Sequence, residues 1–563
     1  MKWIIKEKPD QELSKFLSEK LNIPHIISQI LINRNINTVE SIKKFFNTKW
    51  DDLYDPFLML DMDRAATRVV QAIERRERIF IHGDYDVDGI TAVSILYLFL
   101  KRMGSDVFFY IPDRLKEGYG LSRLGVQKAY EVEARLLITA DCGITNVEEV
   151  DLANKFGIDV IISDHHEEGE FLPSSYAILD PKRKGCNYPF KELSGVGVAF
   201  KLIHAVIKKL GIDLDILKEY LDLVALGSAA DIVPLIDENR LLVKMGLEKI
   251  NRRERIGIKA LIESSGLSNR VIGTGQVVFI LAPRINAVGR LGNAERAVRL
   301  LVTDSDQQAK NIANILEAEN RNRKNIDDQT FNEAIEIIEK EFDSENDRAL
   351  VLAKEGWHPG VIGIVASRIA ERMYRPTIMI AIEDGIGRGS ARSILNFDIY
   401  SAIRRCERYL LRFGGHKYAA GLMLEIGKIE KFKEDFKKIA YDLLKDEELV
   451  QRIIIDAEIE LPQVNEELVG MLNRFAPFGP QNMRPVFLSR NLQVVGTPKV
   501  VGKDHLKFKV RQGGKVYEAI GFDLGSLHYR LCPGEENLNM VYVIEENFWN
   551  GKSRVQLRVK DLK

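Results

Sequence analysis

The sequence has few cysteines and no long apolar run. Its four cysteines, Cys142, Cys186, Cys406 and Cys532, lie far apart and form no CxxC pair, which indicates reduced thiols rather than a disulfide framework or a zinc knuckle. The longest apolar stretch is too short to span a bilayer. The amino-terminal residues MKWIIKEKPDQELSKFL become charged before an apolar core of signal-peptide length is complete. We therefore expect a cytoplasmic protein with no membrane segment.

The sequence also lacks a net charge of either sign. Its 81 Lys and Arg residues nearly balance its 82 Asp and Glu residues, which leaves a formal charge of -1. This balance neither supports nor excludes a polyanionic partner, because nucleic-acid binding depends on local basic surfaces. The 563 residues, 45% of them hydrophobic and 29% charged, are typical of a soluble globular protein and predict three or four domains.

The order of apolar segments predicts an α/β architecture. From about residue 75, short β-rich runs such as RIFIHG, RLLITAD and DVIISD alternate with helical runs, a pattern typical of a doubly wound parallel sheet. Residues 304–342 contain no Pro or Gly and keep apolar side chains at helical spacing, which predicts one helix of roughly 60 Å between two domains. A second, smaller α/β segment follows to about residue 447, and the remainder is rich in strands and turns.

Three aspartates alternate directly after the first apolar strand. In RIFIHGDYDVDGI, Asp84, Asp86 and Asp88 lie two residues apart, and His82 precedes them. Side chains two residues apart share one side of an extended segment, where three anions would hinder one another's ionisation. The arrangement therefore indicates a bound cation.

Three later segments repeat this pattern of an apolar strand that ends at an ionisable residue. LLITADCGI ends at Asp141, VIISDHH at Asp164, His165 and His166, and LVALGSAADIVPL at Asp231. We expect the carboxyl ends of all four strands to converge at one edge of a parallel sheet. Alone, an aspartate at a strand end is as often a helix cap, and a DHH loop is commonly solvated. The four segments together favour a site for two divalent ions, Mn²⁺ or Mg²⁺.

Two glycine-rich segments of the second α/β region, GIGRGSARS and FGGHKYAAG, are candidates for phosphate binding. They contain Arg388, Ser390, Arg392, Gly414, Gly415 and His416. Small residues let backbone N–H groups approach an oxyanion, and arginine pairs bidentately with phosphate. Each segment is equally consistent with an ordinary tight turn. A nearby histidine, His358, precedes Pro and Gly, so we interpret it as a turn residue and exclude it from the catalytic set.

The last region has cationic residues at alternating positions of its strands. In HLKFKVR, Lys507 and Lys509 lie opposite three apolar side chains, and KSRVQLRVK repeats the pattern with Arg554. Strands with an apolar inner face and a basic outer face predict a closed β-barrel of the OB-fold type, which binds single-stranded nucleic acid. Trp549, in the loop before the last strand, would stack on bases. The alternative is a solvated β surface whose lysines discourage edge pairing.

The segments HGDYDVDG, DCGI, SDHH and GSAADIVPL resemble, in this order, the four motifs of the DHH phosphoesterase superfamily. The segments IPDRLKEGYGL, LSGVGVAFKL, APRINAVGRLG, GWHPGVIGIVASR, GRGSARS and FGGHKYAAG extend the resemblance, to its bacterial single-strand-specific exonucleases, over nearly the whole chain. The resemblance implies an α/β fold with a parallel-sheet DHH domain, a long connecting helix, a smaller α/β DHH-associated domain and a C-terminal OB-fold β-barrel. The expected boundaries are 1–50 for an N-terminal helical segment, 51–303 for the DHH domain, 304–343 for the helix, 344–447 for the DHH-associated domain and 448–563 for the barrel.

The resemblance also implies roles for single residues. The expected metal ligands are Asp86, Asp88, Asp141, His165 and Asp231. The expected catalytic residues are His166, which would face the scissile phosphate, and Asp84 and His82, which would support or complete the metal shell. With the strand pattern above, the expected phosphate and DNA contacts are Arg114, Arg284, Arg290, Arg388, Ser390, Arg392, Gly414, Gly415, His416, Lys507, Lys509, Arg554 and Trp549.

The activity implied is that of a metal-dependent, single-stranded-DNA-specific 5′-to-3′ exonuclease that releases 5′-mononucleotides in DNA recombination and repair. Two alternatives remain open, a DHH phosphodiesterase acting on short oligonucleotides or cyclic dinucleotides and a non-catalytic single-strand-binding subunit. The C-terminal barrel disfavours the first, and the intact aspartates and histidines disfavour the second. The expected cofactors are two ions, Mn²⁺ or Mg²⁺. The expected partners are single-stranded DNA, a single-strand-binding protein and a helicase, and we expect a monomer.

Overall fold

The computed structural model describes the chain except residues 115, 344–345 and 550–551, and the side chains of 291, 548–549 and 552–553 also lie outside the description. The described chain forms two compact units. Unit one comprises Met1–Tyr54, Ile232–Lys244 and Arg452–Lys563, and unit two comprises Asp55–Asp231 and Met245–Gln451.

Unit one begins with a strand and three short helices. These are β1 (Lys2–Ile5), α1 (Gln11–Leu21), α2 (His25–Ile32) and α3 (Val39–Phe46). Asp10 caps α1 by accepting hydrogen bonds from two backbone N–H groups, and Thr38 caps α3 in a capping box with Ser41. The apolar faces of the three helices share a core with the C-terminal strands of the same unit.

Unit two begins with the predicted parallel sheet. Its elements are α4 (Met62–Glu74), β2 (Ile79–Gly83), α5 (Val87–Arg102), β3 (Val107–Tyr110), α6 (Arg123–Glu131), β4 (Leu136–Ala140), α7 (Val147–Lys155), β5 (Asp159–Ser163) and β6 (Ala177–Leu179). The strand order is β3-β2-β4-β5-β6, and all neighbours are parallel. Because the chain leaves β2 for β3 on one side and then crosses to β4 on the other, the carboxyl ends of β2 and β4 border a topological switch point.

A largely helical stretch follows the sheet. It contains α8 (Gly195–Leu210), α9 (Leu221–Ala230), α10 (Asp237–Arg252), α11 (Ile256–Ser264), α12 (Thr274–Gln276), a π-helical turn (Val277–Leu281), α13 (Ala282–Leu291) and α14 (Glu295–Val302). The prediction that a strand precedes Asp231 is wrong, because LDLVALGSAA forms α9. Almost all of its residues are buried, and a helix buried on every side lacks the 3.6-residue periodicity that separates helix from strand.

The predicted long helix is confirmed as α15 (Asp306–Glu341), which has 36 residues. At about 1.5 Å per residue it is about 54 Å long. Its amino-terminal cap is Ser305, whose hydroxyl accepts a hydrogen bond from Gln308 N at 3.3 Å. Neither α15 nor any other helix in the described part of the chain is long and apolar enough to cross a membrane.

The second α/β region of unit two is a five-stranded mixed sheet. Its elements are β7 (Leu350–Glu355), α16 (Ile362–Met373), β8 (Thr377–Glu383), β9 (Ile386–Arg392), α17 (Ile399–Arg404), β10 (Leu410–His416), β11 (Ala419–Glu425) and α18 (Ile429–Leu443). The strand order is β10-β11-β9-β8-β7, in which only β7 and β8 are parallel. Strand β10 therefore forms one edge of the sheet.

The C-terminal part of unit one contains the predicted barrel. Its elements are β12 (Arg452–Ile455), β13 (Ala457–Glu458), α19 (Glu466–Asn473), β14 (Phe487–Val501), β15 (His505–Gln512), β16 (Lys515–Gly521), β17 (Glu536–Trp549) and β18 (Lys552–Leu562). Strands β14, β15 and β16 form a meander, β18 joins β16 in parallel, and β17 pairs with both β18 and β14 to close the barrel. Leu506, Phe508 and Val510 are buried while Lys507 and Lys509 are exposed, so the predicted alternation is confirmed.

Candidate metal centre and phosphate pocket

The turn from β2 into α5 carries the three alternating aspartates. Asp86 caps α5, because its Oδ1 accepts hydrogen bonds from Asp88 N at 3.0 Å and Gly89 N at 3.1 Å. The predicted extended conformation therefore ends at Asp86, and Asp88 lies in the first turn of the helix. The side chains of Asp84 and Asp88 are buried, with 3% and 1% exposure. The three carboxylates thus come from a strand end, a helix cap and a helix.

The start of α8 holds the carboxylate of Asp88. Its Oδ2 accepts a hydrogen bond from Gly195 N at 2.6 Å and its Oδ1 accepts one from Val196 N at 2.9 Å. Burial, followed by the charge of Asp86, nevertheless raises the pKa of Asp88 to about 7. A helix N-terminus thus fixes the orientation of a carboxylate that is costly to ionise.

Asp141 follows β4 and adopts a left-handed backbone conformation with a φ of 66°. Its carboxylate lies against α8 at Gly195, where an added Cβ would be 2.4 Å from Asp141 Oδ1. Only glycine fits at this contact. Burial, followed by the charges of Asp88 and Asp86, raises the pKa of Asp141 well above its ordinary value.

The side chain of His165 lies where the carboxylates meet. Its Nε2 is 3.1 Å from Asp141 Oδ1, 3.6 Å from Asp231 Oδ2 and 3.9 Å from Asp88 Oδ2. Burial, followed by the neighbouring His166, lowers the pKa of His165 to about 3. The imidazole is therefore neutral near pH 7, the form in which histidine binds metals.

Three groups of side chains have ligand atoms within 4.8 Å of one another. They are Asp84, Asp86 and Asp141; Asp88, His165 and Asp231; and Asp141, His165 and His166. Asp141 and His165 each belong to two of these groups, so the groups form one continuous cluster. We call it the carboxylate–imidazole cluster.

The carboxylate–imidazole cluster has the donor chemistry of a divalent metal centre. Asp84 Oδ1, Asp141 Oδ1 and His165 Nε2 are buried and have no hydrogen-bond partner among the residues that the structure describes. Unpaired buried polar atoms are costly, and divalent cations bound in the cluster would give each of the three a partner. Burial, followed by neighbouring carboxylates, also raises the pKa of Asp84 and Asp231 well above the ordinary value. Carboxylate oxygen and imidazole nitrogen together suit Mn²⁺ and Mg²⁺.

His166 belongs to the cluster, and one of its ring nitrogens is hydrogen-bonded to Asp164. Its Nδ1 is 2.7 Å from Asp164 Oδ1, and Asp164 also accepts hydrogen bonds from His165 N at 2.8 Å and Ile144 N at 3.0 Å. Although burial opposes both charges, this pairing lowers the pKa of Asp164 and raises that of His166. Asp164 therefore orients His166. Sequence reasoning gave Asp164 no role, although it is the first residue of the DHH triplet.

His82 is completely buried in β2, and its ring contacts loop residues. Ser122 N lies 3.4 Å from its Nε2, Cys142 Sγ lies 4.0 Å from its Nδ1, and the ring packs against Tyr110. Burial lowers the pKa of His82 to about 4. Within the described residues it belongs to none of the three ligand groups, and its catalytic role stays a prediction.

A second polar cluster lies at the first turn of α16. Arg392 Nη1 donates to Ser390 Oγ at 3.2 Å, and Arg392 Nε donates to Ser367 Oγ at 3.1 Å. A Cβ on Gly363 would be 2.9 Å from Ser390 Oγ and 3.0 Å from Arg392 Nη2. Glycine at this position of α16 therefore lets both side chains lie against the helix.

Arg114 and Arg290 complete this second cluster and connect it to the aspartates. Arg290 donates to Gly360 O at 3.0 Å, and burial, followed by the charges of Arg114 and Arg392, lowers its pKa to about 10. The guanidinium of Arg114 lies 5.1 Å from the ring centroid of Tyr85, which stands between two of the aspartates. We call Arg114, Arg290, Arg392 and Ser390 the phosphate pocket, because crowded arginines attract a phosphate.

The structure does not bring Arg284 into the phosphate pocket. Arg284 is 6% exposed, and its Nε lies 2.6 Å from Glu317 Oε2 on α15. This buried ion pair fastens α13 to α15, and the predicted phosphate contact of Arg284 stays a prediction. Arg388 is exposed on β9, and strand alternation puts it on the same face as Ser390 and Arg392.

The glycine-rich strand β10 continues this face. Two cross-strand rows run over β9, β11 and β10, one of Ser390, Gly421 and Gly414 and one of Arg392, Ala419 and His416. Cross-strand partners share a face of the sheet. Gly415 has a φ of 142°, and a Cβ there would be 2.5 Å from Ala419 O. The rows leave backbone accessible between polar side chains.

The barrel residues predicted to bind DNA lie in unit one. Lys507, Lys509 and Arg554 are exposed, and Lys507 Nζ lies 3.8 Å from Glu518 Oε2 on the neighbouring strand. The prediction of a loop at Trp549 is wrong, because this residue ends β17 and pairs with Lys552 of β18. The side chain of Trp549 lies outside the described residues.

Three family models match the chain. The DHH family N-terminal domain matches residues 78–228, the DHHA1 domain matches residues 346–442, and the RecJ OB domain matches residues 455–561. The matched segments include the parallel sheet, the mixed sheet and the barrel.

Curated relatives match the chain over its whole length. The single-stranded-DNA-specific exonuclease RecJ of Bacillus subtilis (strain 168) is 40% identical over 564 residues, which cover 100% of this chain and 70% of that protein. The protein of the same name from Escherichia coli (strain K12) is 32% identical over 566 residues and 96% of each chain. A crystal structure of RecJ from Thermus thermophilus in complex with Mn²⁺ superposes with a TM-score of 0.86 at 29% identity, covering 100% of this chain and 79% of that chain.

Proposed function

Because the chain belongs to the RecJ family of DHH proteins, we propose that it is a metal-dependent exonuclease specific for single-stranded DNA. It degrades the strand from 5′ to 3′ and releases 5′-mononucleotides, in DNA recombination and repair. One observation carries the proposal: Tyr85 and Arg114 join the carboxylate–imidazole cluster to the phosphate pocket. An enzyme that cuts at a fixed distance from a strand end needs a cleavage centre and a terminal-phosphate site in such proximity.

The proposed cofactor is a pair of Mn²⁺ or Mg²⁺ ions. Asp84, Asp86 and Asp141 would hold one ion, and Asp88, His165 and Asp231 would hold the other. Asp141 borders both groups, since its Oδ1 also lies 3.1 Å from His165 Nε2. Bound ions of this kind activate water and neutralise charge on the scissile phosphate.

His166 and Asp164 are proposed to act on the scissile phosphate beside the metal ligands. Ionised Asp164 accepts the Nδ1 proton of His166 at 2.7 Å, which leaves Nε2 to face the scissile phosphate. Hydrolysis needs no nucleophile from the protein, because water is the attacking group. His166 is therefore proposed to bind the phosphate and stabilise its negative charge.

The phosphate pocket is proposed to hold the 5′-terminal phosphate. Arg114, Arg290 and Arg392 provide guanidinium forks, and Ser390 provides a hydroxyl. Burial, followed by repulsion from Arg114 and Arg392, lowers the pKa of Arg290, and a bound phosphate would offset both effects. A fixed terminus limits how far the strand enters, which converts internal cleavage into release of single nucleotides.

The strand beyond the cleavage site is proposed to contact two surfaces. The surface in unit two consists of the cross-strand rows on β9, β11 and β10, including Gly414 and His416. The surface in unit one consists of Lys507, Lys509 and Arg554 on the barrel, which bind the backbone without reading sequence. We also propose that the enzyme is a monomer and that a single-strand-binding protein and a helicase are its partners.

The test uses single-stranded DNA labelled at either end, a matching duplex and a dinucleotide, each with Mn²⁺ or with chelator. We expect stepwise, metal-dependent loss of mononucleotides from the 5′ end of the single strand, and no such loss with Asp141→Ala. Cleavage of the dinucleotide alone would instead indicate a small-substrate phosphodiesterase. Binding of single strands without cleavage would indicate a structural subunit.

A further inference from the structure

The loop between β3 and α6 is fixed by a carboxylate at its centre. Glu117 Oε1 accepts hydrogen bonds from Tyr110 Oη at 2.6 Å and from Asp113 N at 2.8 Å, and Glu117 Oε2 accepts one from Ser122 Oγ at 2.6 Å. The three donors come from the end of β3, the loop itself and the cap of α6. Glu117 therefore ties the end of β3 to the cap of α6.

The same loop is attached to the turn after β4 by an amide side chain. Asn146 Oδ1 accepts from Leu121 N at 3.0 Å, and Asn146 Nδ2 donates to Leu121 O at 3.2 Å. A Cβ on Gly120 would be 2.5 Å from Asn146 Oδ1, and the φ of Gly120 is 96°. Only glycine permits so close an approach with that backbone conformation.

Tyr119 lies between these two attachments. Its hydroxyl donates to Asp141 O at 3.2 Å and lies 2.9 Å from His166 Nδ1, with the two rings edge to face at a centroid distance of 5.4 Å. A backbone carbonyl can only accept, so the hydroxyl proton points to Asp141 O. The phenolic oxygen contacts the His166 ring, 2.9 Å from Nδ1 and 3.3 Å from Nε2, while the Nδ1 proton points to Asp164. The hydroxyl thus links the ends of β4 and β5.

We propose that Tyr119 is a positioning residue for phosphodiester cleavage. Together with the hydrogen bond from Nδ1 to Asp164, the contact of its hydroxyl with the ring holds His166 in the orientation needed at the scissile phosphate. This inference rests on the proposed function, because it assigns Tyr119 a part in that reaction. The loop attachments at Glu117 and Asn146 are explained by the same role, since they fix the position of one hydroxyl oxygen.

The first test compares Tyr119→Phe with the wild-type chain and with a control, Tyr130→Phe. Tyr130 is 54% exposed on α6, and its ring packs against Phe156 at 4.5 Å. Removing the Tyr119 hydroxyl should lower kcat about 10- to 100-fold, the usual effect of losing a residue that orients a functional group. KM for 5′-phosphorylated single strands should stay within about twofold, because the phosphate pocket is intact.

The second test repeats Tyr119→Phe in a His166→Ala background under single-turnover conditions. If Tyr119 acts through His166, the additional substitution should change the remaining rate by less than about twofold. A full, independent loss in that background would overturn the proposal, because it would give Tyr119 a role of its own.

A measurement that does not depend on activity completes the design. In protein with ¹⁵N-labelled histidine side chains and Mg²⁺, Tyr119→Phe should shift the ring-nitrogen resonances of His166, identified by their absence from His166→Ala. Unchanged resonances, or a loss confined to KM, would refute the inference while leaving the proposed function intact. A wild-type chain without nuclease activity would instead refute the proposed function.

Discussion

The raised pKa of Asp88 predicts how the stability of the metal-free protein depends on pH. A carboxyl whose pKa is about 7 in the fold and about 3.9 in the unfolded chain is protonated preferentially in the fold. Its contribution to stability is present at low pH and is lost as pH rises through the folded-state pKa. The free energy of unfolding in chelator should therefore fall, through this group, between pH values of about 5 and 8.

The size of the effect follows from integrating the proton difference. The excess proton occupancy of Asp88 in the folded state, integrated from about pH 5.5 to about pH 8, is about 1.5 pH units. This corresponds to a decrease of about 2 kcal/mol in the free energy of unfolding. Burial, followed by the charge of Asp88, raises the pKa of Asp141 and of Asp231. Removing the charge of Asp88 should therefore add a further difference of the same sign.

The assay is thermal unfolding of the wild-type protein and of Asp88→Asn in chelator across this pH range. The amide removes the titration but also disturbs the hydrogen bond from Gly195 N, which adds an offset independent of pH. Contributions that the two proteins share cancel in the difference between them. The wild type should lose roughly 4–8 °C relative to Asp88→Asn as pH rises, if the parallel-sheet region unfolds as a unit of 150–250 residues.

A matched control is Asp398→Asn, since Asp398 is the cap of α17 and its hydrogen bond with Ser401 lowers its pKa. That carboxyl is ionised in both states over the whole range, so the control difference should be constant. Parallel curves for Asp88→Asn would contradict the reasoning, because Asp88 would then be ionised at pH 5.5 in the fold. Mn²⁺ should stabilise the wild type far more than Asp88→Asn.

Three further predictions follow from single contacts. Gly195→Ala should displace Asp141 and abolish both Mn²⁺-induced stabilisation and nuclease activity. Gly197→Ala should retain both, because a Cβ at that position would be 3.3 Å from its nearest neighbours. Thermal shift and nuclease assays test this. Arg392→Lys should reduce the preference for 5′-phosphorylated over 5′-hydroxyl ends, measured as a ratio of kcat/KM values, by about 10-fold or more. Lys509→Ala should reduce the slope of log affinity against log salt by about 0.7 for single-stranded DNA, measured by fluorescence titration.

Some features of the candidate metal centre could be predicted from local sequence alone. The alternation of Asp84, Asp86 and Asp88 after an apolar strand indicates a nearby cation whatever the rest of the fold is. Asp141 and His165 also follow buried strands, and parallel strands present their carboxyl ends at one edge. These arguments need only the pattern of each segment and one rule of sheet topology.

Other features depended on packing and could not be read from any one segment. Asp231 follows a helix and not a strand. The sequence did not reveal this, because a helix as buried as α9 shows no amphipathic periodicity. Arg284 stands in the same segment as Arg290, but only the position of α15 shows that Glu317 neutralises it. Tyr119 lies in a segment that contributes to the family resemblance, but no local pattern assigns a role to its hydroxyl.

The sequence by itself therefore determined which side chains are candidates to bind metal, the long helix α15 and the two-faced strands of the barrel. Each of these is a property of neighbouring residues, through side-chain periodicity or local charge repulsion. The tertiary structure alone decided which arginines meet in the phosphate pocket and which hydroxyl lies beside His166. Such choices depend on contacts between residues distant in the chain, where a difference of a few ångströms separates a hydrogen bond from no interaction.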